Sequence, residues 1–345
     1  MSTDEQETAD VGDQQVARDM LGPLVDAPTA QLLLPQANQI PPAAWQIIRE
    51  VLETNPQARE DVTCLTKLLA SEGQAAVNGS DVNEAAEPSE YSLEPAGRLP
   101  LTDDCHHYTG KHEVPWDIQK YFSQRYSIFS YYDAGVHMTD DAWFGVTPEP
   151  VANQIAFELA EDYYDREKTV LIDAFGGAGG NTIAFALSER WDRIIAIERD
   201  PATLACAQHN AELYGVDPGA VTWILGDSFE FMDLLVNAPE KLHPELRVDL
   251  QSATVFASPP WGGTGYGDNE IFDLSTMQPY NLRQLHEAYK KMDHLLFLPR
   301  TSDLRQIAKL APRGKKLDVV QYCVEGASKA MGVFVPAEES GASAE

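Results

Sequence analysis

Thr169–Leu187 reads TVLIDAFGGAGGNTIAFAL. A continuous apolar run ends in Asp173, four glycines follow within five residues, and a second apolar stretch starts at Ile183. An apolar run without alternation fits a strand covered on both faces. The glycines permit positive φ and close backbone approach. Strand, glycine turn and helix in this order form the opening unit of an open parallel sheet, and ligands bind at the carboxyl ends of such strands.

The pattern continues downstream. RIIAIER (193–199), AVTWILGD (220–227), ATVFASPP (253–260) and HLLFLPR (294–300) read as further strands. DPATLACAQHNAELYG (200–215) reads as a helix, with Asp200 as N-cap, Pro201 at its first position and Gly215 as its stop. SFEFMDLLV and SDLRQIAKLA read as helices, and LDVVQYCVEG with KAMGVFV as a closing hairpin. The expected class is α/β: a mostly parallel sheet with helices on both faces and an antiparallel C-terminal hairpin. Upstream, TPEPVANQIAFELAEDYY predicts an amphipathic helix with Thr147 at the N-cap and Pro148 first.

Chemistry gathers at the strand ends. The turn Gly176, Gly177, Gly179, Asn181, Thr182 is not the full dinucleotide fingerprint, because G-x-G-x-x-G read from Gly177 ends on Thr182. Glu198 ends the next strand 22 residues beyond Gly176, the spacing of a ribose-binding carboxylate. Asp227 and Ser228 follow the third strand, where an acceptor can take an adenine amine, and Asp173 can face a ligand amino group. No lysine completes a phosphate loop. The set suits S-adenosylmethionine better than a dinucleotide. The fourth strand breaks in Ser258-Pro259-Pro260-Trp261, where prolines leave no competing N–H. Ser258 Oγ and the Pro259 carbonyl can hold an exocyclic amine, and Trp261 offers a face for a base.

The 345 residues carry a net charge of −29, which argues against general nucleic-acid binding, so a nucleic-acid partner would be gripped locally. Residues 1–110 hold 19 acidic and 5 basic residues and few aromatics. They are expected to be a largely disordered acidic tail that could engage protein partners, with a short helix near 42–69. Residues 111–165 are expected to form an aromatic-rich helical extension, 166–336 the core, and 337–345 a disordered C-terminus. No apolar run is long enough for a membrane span, and no secretory leader is read. The four cysteines form no CxxC pair. CHHYTGKH, with Cys105, His106, His107 and His112, lacks a second ligand cluster, so no metal is expected.

KYFSQRYSIFSYYDAG, WFGVTPEPVANQIA, DAFGGAGGNTIAFAL, HNAELYG, SPPWGGTGY and FLPR together resemble the trimethylguanosine synthase family across roughly 120–335. The resemblance implies a class I Rossmann-like methyltransferase fold and transfer from S-adenosylmethionine to N2 of 7-methylguanosine on RNA caps, those of small nuclear and nucleolar RNAs. It places Trp261 under the 7-methylguanine, Ser258 and Pro259 at its amine, Lys120 and Arg300 near the cap phosphates, and Phe129 and Thr147 beside the cofactor. The acidic residue before WF is Asp141, a further cap-side position. Gly176 stands where the family usually has Cys, and Glu198 where Asp is common. The resemblance further implies a nuclear, monomeric enzyme. The alternatives are a methyltransferase for another RNA base amine, or a non-catalytic cap-binding module.

Overall fold

In the computed structural model, the residues described are 91–161, 168–261, 271–324 and 326–338. The helix expected near 42–69 lies outside them. Seven strands form one sheet: β1 (Val170–Asp173), β2 (Arg193–Glu198), β3 (Val221–Leu225), β4 (Ala253–Ala257), β5 (Asp293–Pro299), β6 (Asp318–Val324) and β7 (Ala327–Val335), in the order β3-β2-β1-β4-β5-β7-β6. The first five pair in parallel, and β7 runs antiparallel between β5 and β6. This is the α/β architecture with closing hairpin that the apolar runs predict.

Among the described residues the helices are α1 (Gln119–Phe122), α2 (Arg125–Ile128), α3 (Ala142–Gly145), α4 (Glu149–Glu161), α5 (Gly180–Leu187), α6 (Pro201–Leu213), α7 (Ser228–Asn237), α8 (Leu282–Tyr289) and α9 (Leu304–Ile307). Alternate strand residues feed two cores. Leu171, Ala196, Phe256 and Phe297 face the first, where the aromatic extension contributes Phe122, Phe129, Tyr132 and Trp143. Ile172, Ile197, Val255 and Leu298 face the second, under α7 and α8. Burying both faces is what makes these strands continuously apolar.

Local chemistry sets the ends. Asp200 accepts from Thr203 N at 2.7 Å to cap α6, and Gly215 ends it at φ +75°. Asn281 and Gln284 form a reciprocal capping box on α8, a helix the strand-and-turn reading passed over. The long helix expected over 302–311 is only α9 and one 3₁₀ turn. α4 starts at Glu149 rather than at Pro148, and the Thr147 hydroxyl does not cap it. The Pro148 carbonyl accepts from Val151 and Ala152, which makes Pro148 the boundary residue.

Two expected boundaries move. Residues 91–110, assigned to the acidic tail, are tied to the core. Leu93 bridges Leu242, Ala96 N donates to Trp223 O, and Gln208 exchanges hydrogen bonds with Gly97 and Leu99. Composition misplaced this segment because its order comes from backbone pairing rather than from its own apolar content. At the other end, Ala337 N donates to Asp293 Oδ1 and Glu338 N to Lys290 O, so order reaches Glu338.

The glycine turn passes very close to α6. Gly179 has φ +93°, and a Cβ there would lie 3.3 Å from the Ala207 backbone. Gly179→Ala should therefore cost about 1–2 kcal/mol from the left-handed backbone alone, read as a melting-temperature drop of roughly 2–8 °C. An unchanged melting temperature would refute the tight approach of turn and helix.

Candidate active site

The sheet order reverses between β1 and β4, whose parallel pairing puts Asp173 beside Phe256. Connections leave the two strands in opposite directions, which opens a crevice at their carboxyl ends. A cleft of about 1340 Å³ lies there. That exceeds the roughly 300–1,000 Å³ of a site for one small molecule, so it can seat two ligands together. Its wall includes Gly176, Gly177, Thr147, Asn181, Glu198, Asp227 and Ser228 on the glycine-turn side. Ser258, Pro259, Trp261, Lys120, Asp141 and Arg300 line the same cleft.

Four expected site residues are not on that wall. Phe129 is 2% exposed in the first core, its ring against Tyr214. An aromatic-rich segment does not reveal which ring faces inward. Gly179 backs onto α6. Asp173 and Thr182 are fully buried beneath the turn, with Thr182 Oγ1 donating to Asp173 Oδ2 at 2.6 Å. Asp173 therefore holds the turn's shape from below instead of reaching into the cleft. Burial pushes its carboxyl up to about 6; the bonds from Thr182 and Phe175 N pull the other way.

Glu198 fastens the turn from the side. Its Oε2 accepts from Gly177 N at 3.0 Å and its Oε1 from Asp200 N at 2.9 Å. Burial raises its pKa against these bonds. Asp227 spends Oδ1 on the α7 cap and accepts from the Tyr280 hydroxyl at 2.7 Å through Oδ2. Tyr280 stacks on Phe229 at 4.1 Å and lines the cleft.

Tyr280, Trp143 and Lys329 also line the cleft, and the motif reading missed them. Tyr280 directly precedes the Asn281 capping box, a readable helix start that fixes its place. Trp143 lies inside the quoted WF motif. Lys329 comes from β7, and nothing in its own neighbourhood of sequence announces a site.

The glycine-turn end fits a zwitterionic nucleoside such as S-adenosylmethionine on its own chemistry. Trp143 Nε1, Thr147 Oγ1 and Asn181 Nδ2 are buried, line the cleft and have no hydrogen-bond partner. Orphaned buried donors are costly, which marks them as groups awaiting a ligand. Thr147 abuts the start of α5, its carbonyl 3.4 Å from where a Cβ on Gly180 would stand.

At the β4 end, Ser258 is half-buried and Pro259 buried. Trp261 is half-buried, donates Nε1–H to the Phe297 carbonyl at 3.2 Å, and tilts 38° from the Phe297 ring at 6.1 Å. Carboxylates Glu198, Asp200 and Asp227 lie on the β2–β3 side of the cleft, Arg199 among them; Arg300 and Lys329 lie on the β5–β7 side, with Lys120 also on the wall. Cys105 is buried against the Ala202 carbonyl, and His107 bonds Val136 O. Among the described residues no three His, Cys, Asp or Glu are placed to hold a metal.

Residues 168–338 match a family model described as RNA cap guanine-N2 methyltransferase, and residues 12–79 match one described as a domain of unknown function. The chain is 34% identical over 220 residues to trimethylguanosine synthase of Schizosaccharomyces pombe, covering 63% of this chain and 85% of that one. It is 32% identical over 194 residues to trimethylguanosine synthase of Saccharomyces cerevisiae, covering 55% of this chain and 57% of that one. A solved methyltransferase from Porphyromonas gingivalis W83 aligns with TM-score 0.45 at 17% identity, covering 68% of this chain and 54% of that one.

The raised Asp173 pKa has a consequence for stability. The folded state holds this proton more tightly than the unfolded chain, so stability falls as pH rises from the ordinary value of 3.8 through about 6. The loss is on the order of 2–3 kcal/mol. Asp173→Asn cannot titrate. Wild-type stability minus variant stability, from urea melts without cofactor, should decline between pH 4 and 7. A flat difference would show that Asp173 is not a desolvated acid.

Proposed function

The chain belongs to the RNA cap guanine-N2 methyltransferase family, and on that premise we propose that Trp261, Ser258 and Pro259 position the base while the glycine turn holds the methyl donor. It is an S-adenosylmethionine-dependent enzyme that methylates N2 of a 7-methylguanosine RNA cap. The observation that supports this division of labour is that Ser258 and Trp261 share one cleft with Gly176, Gly177 and Glu198.

When bound, the cofactor would supply an electrophilic methyl on a sulfonium; its transfer to N2 would leave the neutral thioether S-adenosylhomocysteine and release one N2 proton to solvent. Glu198 suits the ribose hydroxyls of that cofactor, Tyr280 and Asp227 its adenine, and Trp143, Thr147 and Asn181 its amino-acid end. Trp261 takes the methylated purine on its face. Base–aromatic stacking contributes about 1–3 kcal/mol, and the positive charge of 7-methylguanine over an indole adds up to about 2 kcal/mol when desolvated. A neutral hydrogen bond nets only about 1 kcal/mol, so stacking sets affinity and the Ser258–Pro259 acceptors set the direction of the N2 lone pair. Those acceptors are preorganised, because prolines fix the corner before substrate arrives. Lys120 and Arg300 receive the cap phosphates, and Asp141 bounds the cap side. The small nuclear and nucleolar RNA substrates, the nucleus and the monomeric state follow from the family resemblance. The acidic N-terminal region is proposed to engage protein partners. Among the described residues no helix is long and apolar enough to cross a membrane.

Trp261→Ala should raise KM for a 7-methylguanosine cap by about 5–150-fold, the range of lost stacking, while cofactor affinity by calorimetry stays within about twofold. Loss of cofactor binding as well would make Trp261 a structural residue. Ser258→Ala should instead lower kcat by about 10-fold or more with KM nearly unchanged, since removing a transition-state contact leaves ground-state binding intact. With labelled cofactor, an N7-unmethylated cap should accept no methyl; equal labelling of both caps would remove the charge from the recognition.

A further inference from the structure

Next to the cleft lies a second concavity of about 350 Å³, lined by Ser123, Gln124, Tyr126, Ser127, Val324, Ala327 and Lys329. Gln124 and Lys329 line both hollows, and Lys329 Nζ lies 3.3 Å from Gln124 Oε1. The two are therefore continuous across one cation and one amide. Lys120, expected at the cap phosphates, sits one helical turn before Gln124, whose Nε2 donates to the Lys120 carbonyl at 3.1 Å.

We infer that this groove is a subsite for the first transcribed nucleotide of the capped RNA, with Lys329 on the phosphate that joins it to the cap and Tyr126 as the surface for its base. The inference rests on the cap-methylation reading of the cleft. Four observations favour this occupant. Among the described residues the groove's lining carries no carboxylate, and its charge comes from Lys329.

Tyr126 is 49% exposed yet held still. Its hydroxyl donates to Asp133 at 3.0 Å and accepts from Arg125 at 2.9 Å, and the Arg125 guanidinium lies 4.2 Å from its ring centroid. Arg125 is itself braced on Phe122 at 4.4 Å. An aromatic ring fixed before binding loses little rotamer entropy on stacking. The hydroxyls of Ser123 and Ser127 and the Gln124 amide supply hydrogen-bonding groups without base selectivity. That suits a position where RNAs of different first nucleotide must all pass. Finally, about 350 Å³ is near the lower end of the volume of small-molecule sites, the scale of one nucleotide and not of a folded chain.

The test compares kcat/KM for m7GTP and for the dinucleotide m7GpppG, using the full chain and labelled S-adenosylmethionine. Wild type should favour m7GpppG by about fivefold or more, the fold-change that corresponds to about 1 kcal/mol of base stacking. Tyr126→Ala and Ser123→Glu should each bring that ratio towards one. Turnover of m7GTP reports that each variant is folded, and Ser123 is exposed enough to accept the change. A wild-type ratio of one, or a ratio unchanged in both variants, would overturn the subsite. Failure to methylate either compound would instead overturn the reading of the cleft on which it rests.

Discussion

The parallel pairing of β1 with β4 is the constraint from which the site follows. It joins Val170 to Ala253 and Asp173 to Phe256, so the two chains leave the sheet at one level. One exit becomes the glycine turn and the other the Ser-Pro-Pro-Trp corner. Methyl donor and acceptor must meet within bonding reach in a fixed direction, and misplacement by an ångström can cost about 100-fold in rate. A register shift of one residue would also send every core side chain of β4 to the opposite face. The same buried apolar packing that sets the fold thus sets the reaction geometry.

The turn itself is held from two sides by carboxylates with different duties. Glu198 binds the Gly177 and Asp200 amides at the edge of the cleft, while Asp173 is sealed below and grips Thr182. Both pay in desolvation, which raises both pKa values. Such strain is tolerated at a site because backbone amides aimed inward cannot be satisfied by an apolar residue. The cleft also leaves Trp143, Thr147 and Asn181 with unpartnered polar atoms. Stability is given up where a ligand will later restore it, and binding to the folded state returns the loss by mass action.

How far the sequence revealed this depends on which physics each element obeys. Strands buried on both faces must be apolar throughout, so β1 to β5 were readable from local runs alone. Caps are equally local: Asp200 and Pro201 announce α6, and Asn281 with Gln284 announces α8 to a reader looking for capping boxes. Segment 91–110 was not readable, because its order comes from pairing with residues distant along the chain, such as Gln208 with Gly97 and His106 with Met138. Site residues divide in the same way. Ser258 and Trp261 stand at a strand end that the prolines mark. Phe129 and Asp173 were placed in the pocket by their motifs, yet burial depends on neighbours that no motif contains. Lys329 reaches the cleft only through the β5–β7 pairing of Pro299 with Ala330, a contact invisible along the chain.

The acidity of the chain follows the same economy of place. A cap presents one cationic purine followed by a short run of phosphates, so recognition needs an aromatic face and a few cations rather than a basic surface. Phosphate contacts position a nucleic acid without reading it, and each basic residue added increases affinity for any RNA equally. A net charge of −29 works against that uniform attraction. Against such a background, the role proposed for the cations on the β5–β7 side is to act on a chain already anchored by its terminal base. Specificity for the end of an RNA over its interior then arises from repulsion everywhere else as much as from attraction in the cleft.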